Sequence, residues 1–108
     1  MTTSTFRLPA HPVVRAFAEA INNGDRAAFM ALLTPGATMT DDGSPRDLAQ
    51  WADHEIFDAN GRFDVRREEP GGLGMIVKFG NDTWGAMNTR WDFTVQGDRI
   101  SRFDTGQA

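Results

Sequence analysis

The hydrophobic period of this sequence changes at Gly61, and that change restricts the chain to folds that set helices against a sheet. Before Gly61, apolar residues recur at helical spacing; after it, they recur at every second position. Val13, Phe17, Ala20 and Ile21 fall at i, i+4, i+7 and i+8, one stripe of a helix over 12–22, with Pro12 suited to its first turn. Asn22-Asn23-Gly24-Asp25 then supplies a glycine stop and an Asp able to cap a second helix over 25–33, whose apolar side is Ala28, Phe29, Leu32 and Leu33. Thr34-Pro35-Gly36 ends it, because proline cannot continue the hydrogen-bond ladder. Residues 37–40 are short and β-prone and run into an Asp41-Asp42-Gly43 turn. Ser44 and Pro45 then read as the N-cap and first residue of a third helix over 45–57, with Leu48, Trp51, Ala52 and Ile56 on one side.

Beyond Gly61, Phe63 and Val65 alternate with Arg62, Asp64 and Arg66. Leu73, Met75, Val77 and Phe79 alternate with Gly74, Ile76 and Lys78, the pattern of half-buried strands. Turn clusters at Pro70-Gly71-Gly72, Gly80-Asn81-Asp82 and Gln96-Gly97-Asp98 set off a long strand over 84–95 and a last one over 99–104, completing an antiparallel meander. In the long strand Gly85, Met87, Thr89, Trp91, Phe93 and Val95 share the better core face, and Trp84, Ala86, Asn88, Arg90, Asp92 and Thr94 share the other. Helices first and sheet second, with short links, imply an α+β domain with the helices on one side of the sheet. At 108 residues the chain accommodates one domain, over 11–108, preceded by a polar, Thr-rich stretch, 1–10, expected to be a loose arm.

The residue types that are missing remove whole classes of chemistry. Without Cys or Tyr there are no thiol nucleophiles, disulfides, thiolate metal sites or tyrosine acids. Ser4, Ser44 and Ser101 sit in no nucleophile elbow, and His11 and His54 are too far apart for zinc spacing, so no metal or cofactor is expected. A net charge of −4 without a basic cluster argues against nucleic acid or an anionic membrane as partner. No apolar run approaches the roughly 20 residues that span a bilayer, and a soluble, cytoplasmic domain is expected. Carboxylates, arginines, one usable histidine, amides and hydroxyls remain as reactive groups.

Taken in order, the first helix, the Asn23-Gly24-Asp25 break, the second helix, Ala37-Thr38-Met39-Thr40-Asp41 with its turn, the third helix and a meander ending in Gly97-Asp98-Arg99-Ile100 carry a likeness. The sequence resembles the nuclear transport factor 2-like superfamily, its SnoaL-like branch most, over about residues 11–105. The resemblance implies three helices packed in the concave face of a strongly curved antiparallel or mixed sheet, the cystatin-like cone-shaped barrel, with a pocket between them. It also implies two kinds of function. One is a cofactor-free isomerase, cyclase or lyase acting on a small apolar or amphipathic molecule; the other is a non-catalytic ligand-binding or accessory domain.

Ala37-Thr38-Met39-Thr40-Asp41 resembles the A-T-V-E-D segment in which ketosteroid isomerases carry a proton-shuttling carboxylate, which makes Asp41 the candidate base. Phe17, Trp51, Met87 and Trp91 would wall its pocket. The Tyr and protonated Asp that stabilise the enolate in those enzymes correspond to Phe17 and, allowing one gap, Thr89; a phenylalanine donates no hydrogen bond, so steroid isomerisation is not implied. The other reading of Asp41-Asp42-Gly43 is an acidic turn. Arg90, Asp92 and Asp104 resemble the water-activating set of limonene-epoxide hydrolases, but strand parity puts Arg90 and Asp92 opposite Trp91 as an ion pair; Asp104 stays a catalytic candidate. His54, three residues after Trp51, is either a proton relay or a solvated side chain between Asp53 and Glu55. Ile76, Trp84, Ala86 and Asn88 form an outer patch expected to be a homodimer surface.

Overall fold

The computed structural model describes residues 6–108. Helix α1 (Pro12–Asn22) starts where expected, with Pro12 in its first turn and the His11 Nδ1 accepting the Val13 N–H at 3.2 Å. Helix α2 (Arg26–Ala31) is capped by Asp25, whose carboxylate accepts the Ala28 N–H at 3.0 Å. It ends earlier than its apolar spacing suggests, because Leu33 already belongs to strand β1 (Leu33–Asp41). Thr34-Pro35-Gly36 therefore lies within a strand. It bulges out of register, since Leu33 pairs with Ile100 but Thr38 with Arg102, and Gly36 takes a φ of 76° to do so.

The expected helix start at Ser44-Pro45 is likewise a strand, β2 (Ser44–Arg46), hairpinned onto β1 through Asp42 and Gly43, both with positive φ. Proline is acceptable there because β2 is an edge strand with no ladder bond to donate on its open side. Helix α3 (Leu48–Ala52) begins three residues later than expected, capped by the Asp47 carboxylate on the Gln50 N–H at 3.0 Å. Its continuation, Asp53–Phe57, is not α-helical but a π-helical turn, in which the Asp58 N–H reaches the Asp53 carbonyl at 2.8 Å.

Strands β3 (Arg62–Glu68), β4 (Gly74–Asn81), β5 (Gly85–Gln96) and β6 (Arg99–Gln107) form the antiparallel meander. β1 joins it parallel to β6, so the sheet is mixed and six-stranded, in the order β2-β1-β6-β5-β4-β3, and it does not close. This is an α+β fold with three helices against a curved sheet. Its core is aromatic: Phe17, fully buried on α1, has ring centroids of Phe29, Phe63, Trp91, Phe93 and Phe103 within 4.8–6.2 Å. The Asn22 side chain locks α1 to β3, donating to the Phe63 carbonyl at 2.9 Å and accepting the Phe63 N–H at 2.7 Å.

Two expectations change here. The described part of the N-terminal stretch is held: the Val65 N–H donates to the Arg7 carbonyl at 2.9 Å, and the Ala10 N–H to Glu68 at 2.9 Å. Residues 7–10 thus line the outer edge of β3, where unpaired strand groups needed partners; residues 1–5 of the expected arm lie outside the described residues. The parity of β6 also shifts. Val95 pairs with Ile100 and Thr94 with Arg102, leaving Ser101 as an extra residue, so Ile100, Phe103 and Thr105 turn inward while Arg102 and Asp104 turn outward.

Candidate functional site

The third helix and the ends of β1, β4, β5 and β6 enclose an open cavity of about 350 Å³. Asp41 reaches it from the end of β1. The parallel pairing of Asp41 with Thr105 and the bond from the Asp42 N–H to the Thr105 carbonyl, 2.9 Å, set that end of the strand against β6. Asp42 is fixed by accepting the Gln107 N–H at 2.9 Å, and Gly106 is required beside it, because a Cβ there would stand 2.5 Å from Asp42 Oδ1.

Trp51, on α3, donates its indole N–H to Asp41 Oδ2 at 2.9 Å, which fixes both the carboxylate and the ring. Its ring centroid lies 6.2 Å from that of Trp91, and Phe79 lies 5.8 Å from Trp91 on the other side, so the aromatic wall is continuous. Trp91 is itself buried and donates to Thr89 Oγ1 at 2.9 Å, while the Thr89 hydroxyl donates to the Val77 carbonyl at 2.9 Å. Thr89 is therefore wall and scaffold, with its hydroxyl already engaged. Met87 lies nearer the mouth. Of the residues anticipated from sequence, the structure thus brings Asp41, Trp51, Met87, Thr89 and Trp91 together around one space.

Phe17, His54 and Asp104 are not part of it. Phe17 is sealed in the core behind Trp91. His54 points to solvent, its side chain 71% exposed, because the wider π turn breaks the helical spacing that would have aligned it with Trp51. Glu55 faces the cavity instead. Asp104 is on the outer face through the bulge at Ser101, where it accepts from the Thr40 hydroxyl and pairs with Arg102 at 3.0 Å. Arg102, then the Thr40 hydroxyl, holds the Asp104 carboxyl below its ordinary range against the opposing effect of partial burial. On the same face Arg90 pairs with Glu69 at 2.6 Å and with Asp92 at 2.8 Å.

Trp84 is the largest departure. The sequence places it on the outer face with Ile76, Ala86 and Asn88; those three do lie there, but Trp84 does not. Strand alternation stops at Gly85, whose φ of 74° turns the chain, and Trp84 folds over the cavity mouth with its N–H donating to Asn81 Oδ1 at 2.8 Å. Its indole N–H meets Glu55 Oε2 at 3.1 Å. Asn81 is the buried centre of this rim, since its amide also donates to the Glu55 carbonyl at 3.0 Å. Arg46, on β2, completes the wall and makes no ion pair among the described residues. Glu55, Asn81, Trp84 and Arg46 carry no sequence signal of a site, because each comes to it through a turn geometry that periodicity does not encode.

No protein-family model matches the sequence, and neither does any curated protein. Solved structures do match. A Sinorhizobium meliloti protein provisionally designated a polyketide cyclase superimposes with a TM-score of 0.72 at 18% identity, over 86% of this chain and 92% of its own. An NTF2-like protein of unknown function from Cytophaga hutchinsonii gives 0.70 at 11% identity, over 94% and 92%. A Catenulispora acidiphila protein with a ketosteroid isomerase-like fold, solved in complex with trimethylamine, gives 0.69 at 17% identity, over 88% and 84%. The chain has the nuclear transport factor 2-like fold. Among the described residues no helix is long and apolar enough to cross a membrane.

Proposed function

We propose that this chain is a small-molecule pocket protein that carries out a cofactor-independent proton transfer of isomerase, cyclase or lyase type, with Asp41 as general base. The observation behind this reading is the Asp41 carboxylate on the cavity wall, with Oδ2 held by Trp51 and Oδ1 left for a substrate. In the simplest such step Oδ1 takes a proton from a carbon beside a carbonyl. The C–H electron pair moves into the new C=C bond, and the carbonyl oxygen takes the negative charge. The guanidinium of Arg46, on the same wall, is the group placed to offset that charge, a role that Phe17 and Thr89 cannot fill. Returning the proton to a different carbon completes an isomerisation; attack of the enolate on a second carbonyl gives a cyclisation.

Neighbours designated a polyketide cyclase or described by a ketosteroid isomerase-like fold support this class of chemistry. The second reading, a binding domain without chemistry, is favoured by Trp84, an indole left 64% exposed at the mouth as a ligand contact would be. The neighbour with trimethylamine bound adds a small amine to the ligands such a domain would be tried with. The test is deuterium uptake next to the carbonyl in a panel of small ketones and β-keto esters, followed by NMR. Asp41→Asn is expected to slow exchange by about 100-fold or more while the domain stays folded. Exchange catalysed equally by both proteins would remove Asp41 as the base.

A further inference from the structure

The hydrogen-bonding groups of the cavity wall decide what kind of molecule can sit there. All three indole N–H groups are committed, Trp51 to Asp41, Trp84 to Glu55 and Trp91 to Thr89. The Thr89 hydroxyl and the Asn81 amide are also spent, on the Val77 carbonyl and on Glu55. What the wall still offers is acceptors and ring faces. Asp41 Oδ1 and Asp42 Oδ2 have no partner within the chain, and three carboxylates, Asp41, Asp42 and Glu55, stand against the single guanidinium of Arg46.

Because each rim indole is tethered edge-on through its N–H, its π face is what remains for a ligand. An indole face attracts a cation that comes within about 6 Å, most strongly when water is displaced. A neutral apolar guest would desolvate the carboxylates without compensation, and an anion would be repelled by them. A positively charged nitrogen carrying apolar groups satisfies rings and carboxylates together. The volume, about 350 Å³, is at the small end of ligand pockets, which suits a compact guest.

We propose that the cavity binds a small organic cation, a substituted ammonium with apolar substituents, between the indoles of Trp51 and Trp84 and beside Asp41 and Glu55. The proposal rests on this cavity being the ligand site and does not require Asp41 to be a base. Three probes of one shape and different charge test it by calorimetry: choline, its uncharged carbon analogue 3,3-dimethylbutan-1-ol, and the anion 3,3-dimethylbutanoate. Choline is expected to bind at least tenfold tighter than the alcohol, with the carboxylate weakest. Trp84→Leu and Glu55→Gln, each at the rim and outside the core, are each expected to weaken choline about fivefold or more and to leave the alcohol unchanged. Equal binding of choline and alcohol, no binding of any probe, or choline affinity unmoved by both variants would overturn the proposal. Asp41→Asn separates the two readings, since the order of the probes should survive it. Cation preference without carbon–proton exchange would sink the base alone, and exchange without cation preference would sink the cation site alone.

Discussion

The Trp51 indole N–H donates to Asp41 Oδ2 across 2.9 Å, joining the third helix to the end of β1 at the cavity wall. A hydrogen bond to a charged acceptor contributes more than a neutral one. Trp51→Phe, which keeps an aromatic ring but no donor, is therefore expected to lower unfolding stability by about 1–2 kcal/mol in urea titrations. The same change releases the carboxylate, so any activity that depends on Asp41 should fall further than the loss of folded protein accounts for.

Asn81 is the second joint of the site. It is buried, accepts the N–H groups of Thr83 and Trp84, and donates to Glu55. Asn81→Ala should cost about 2–3 kcal/mol, because it strands buried partners, and should alter the tryptophan emission as Trp84 loses its anchor. An emission spectrum and a denaturation midpoint both unchanged would show that the rim does not depend on Asn81.

Gly106 is tested by its own Cβ. Gly106→Ala would press a methyl group to 2.5 Å from Asp42 Oδ1 and 3.3 Å from Asp42 backbone atoms. The backbone contacts cannot swing aside, so a loss of about 1–3 kcal/mol is expected, with Asp42 displaced from the Gln107 N–H. Thermal unfolding of the variant beside the parent checks it.

Acid should weaken the outer face before it weakens the cavity wall's packing. The Asp104 carboxyl is held below its ordinary 3.8 by Arg102 first and Thr40 next, and that of Glu69 is held below its ordinary value by Arg90. A carboxyl whose folded value is depressed contributes stability that is whole above the unfolded value and is lost as pH falls through the folded one. Stability should accordingly decline below about pH 4, and Asp104→Asn should flatten part of that decline. Asp104 is over one-third exposed, so its share is a fraction of a kcal/mol and shrinks in salt.

The sequence discloses the elements better than their joints. Phe17, Phe63, Met75, Val77, Trp91 and Phe93 are buried as their spacing requires, because regular helices and strands transmit parity faithfully. Each misplacement begins at a residue that breaks a repeat: Pro35-Gly36 inside β1, the π turn at His54, Ser101 in β6, and Gly85 ahead of Trp84. Extra residues of this kind reverse the face of everything after them, and local composition does not announce them. Asp41 was legible through a resemblance in its segment, whereas Glu55 and Trp84 emerge only from long-range bonding to Asn81.

The segment 7–10 along β3 has a consequence for how the molecules keep apart. An open sheet has two margins at which a neighbouring chain can add itself as a further strand and seed a fibre. Here one margin is only three residues long and contains Pro45, and the other is already occupied by the chain's own backbone between Arg7 and Ala10. This short segment is thus a guard against self-templating, and a variant trimmed past Ala10 would lose solubility sooner than it lost its fold.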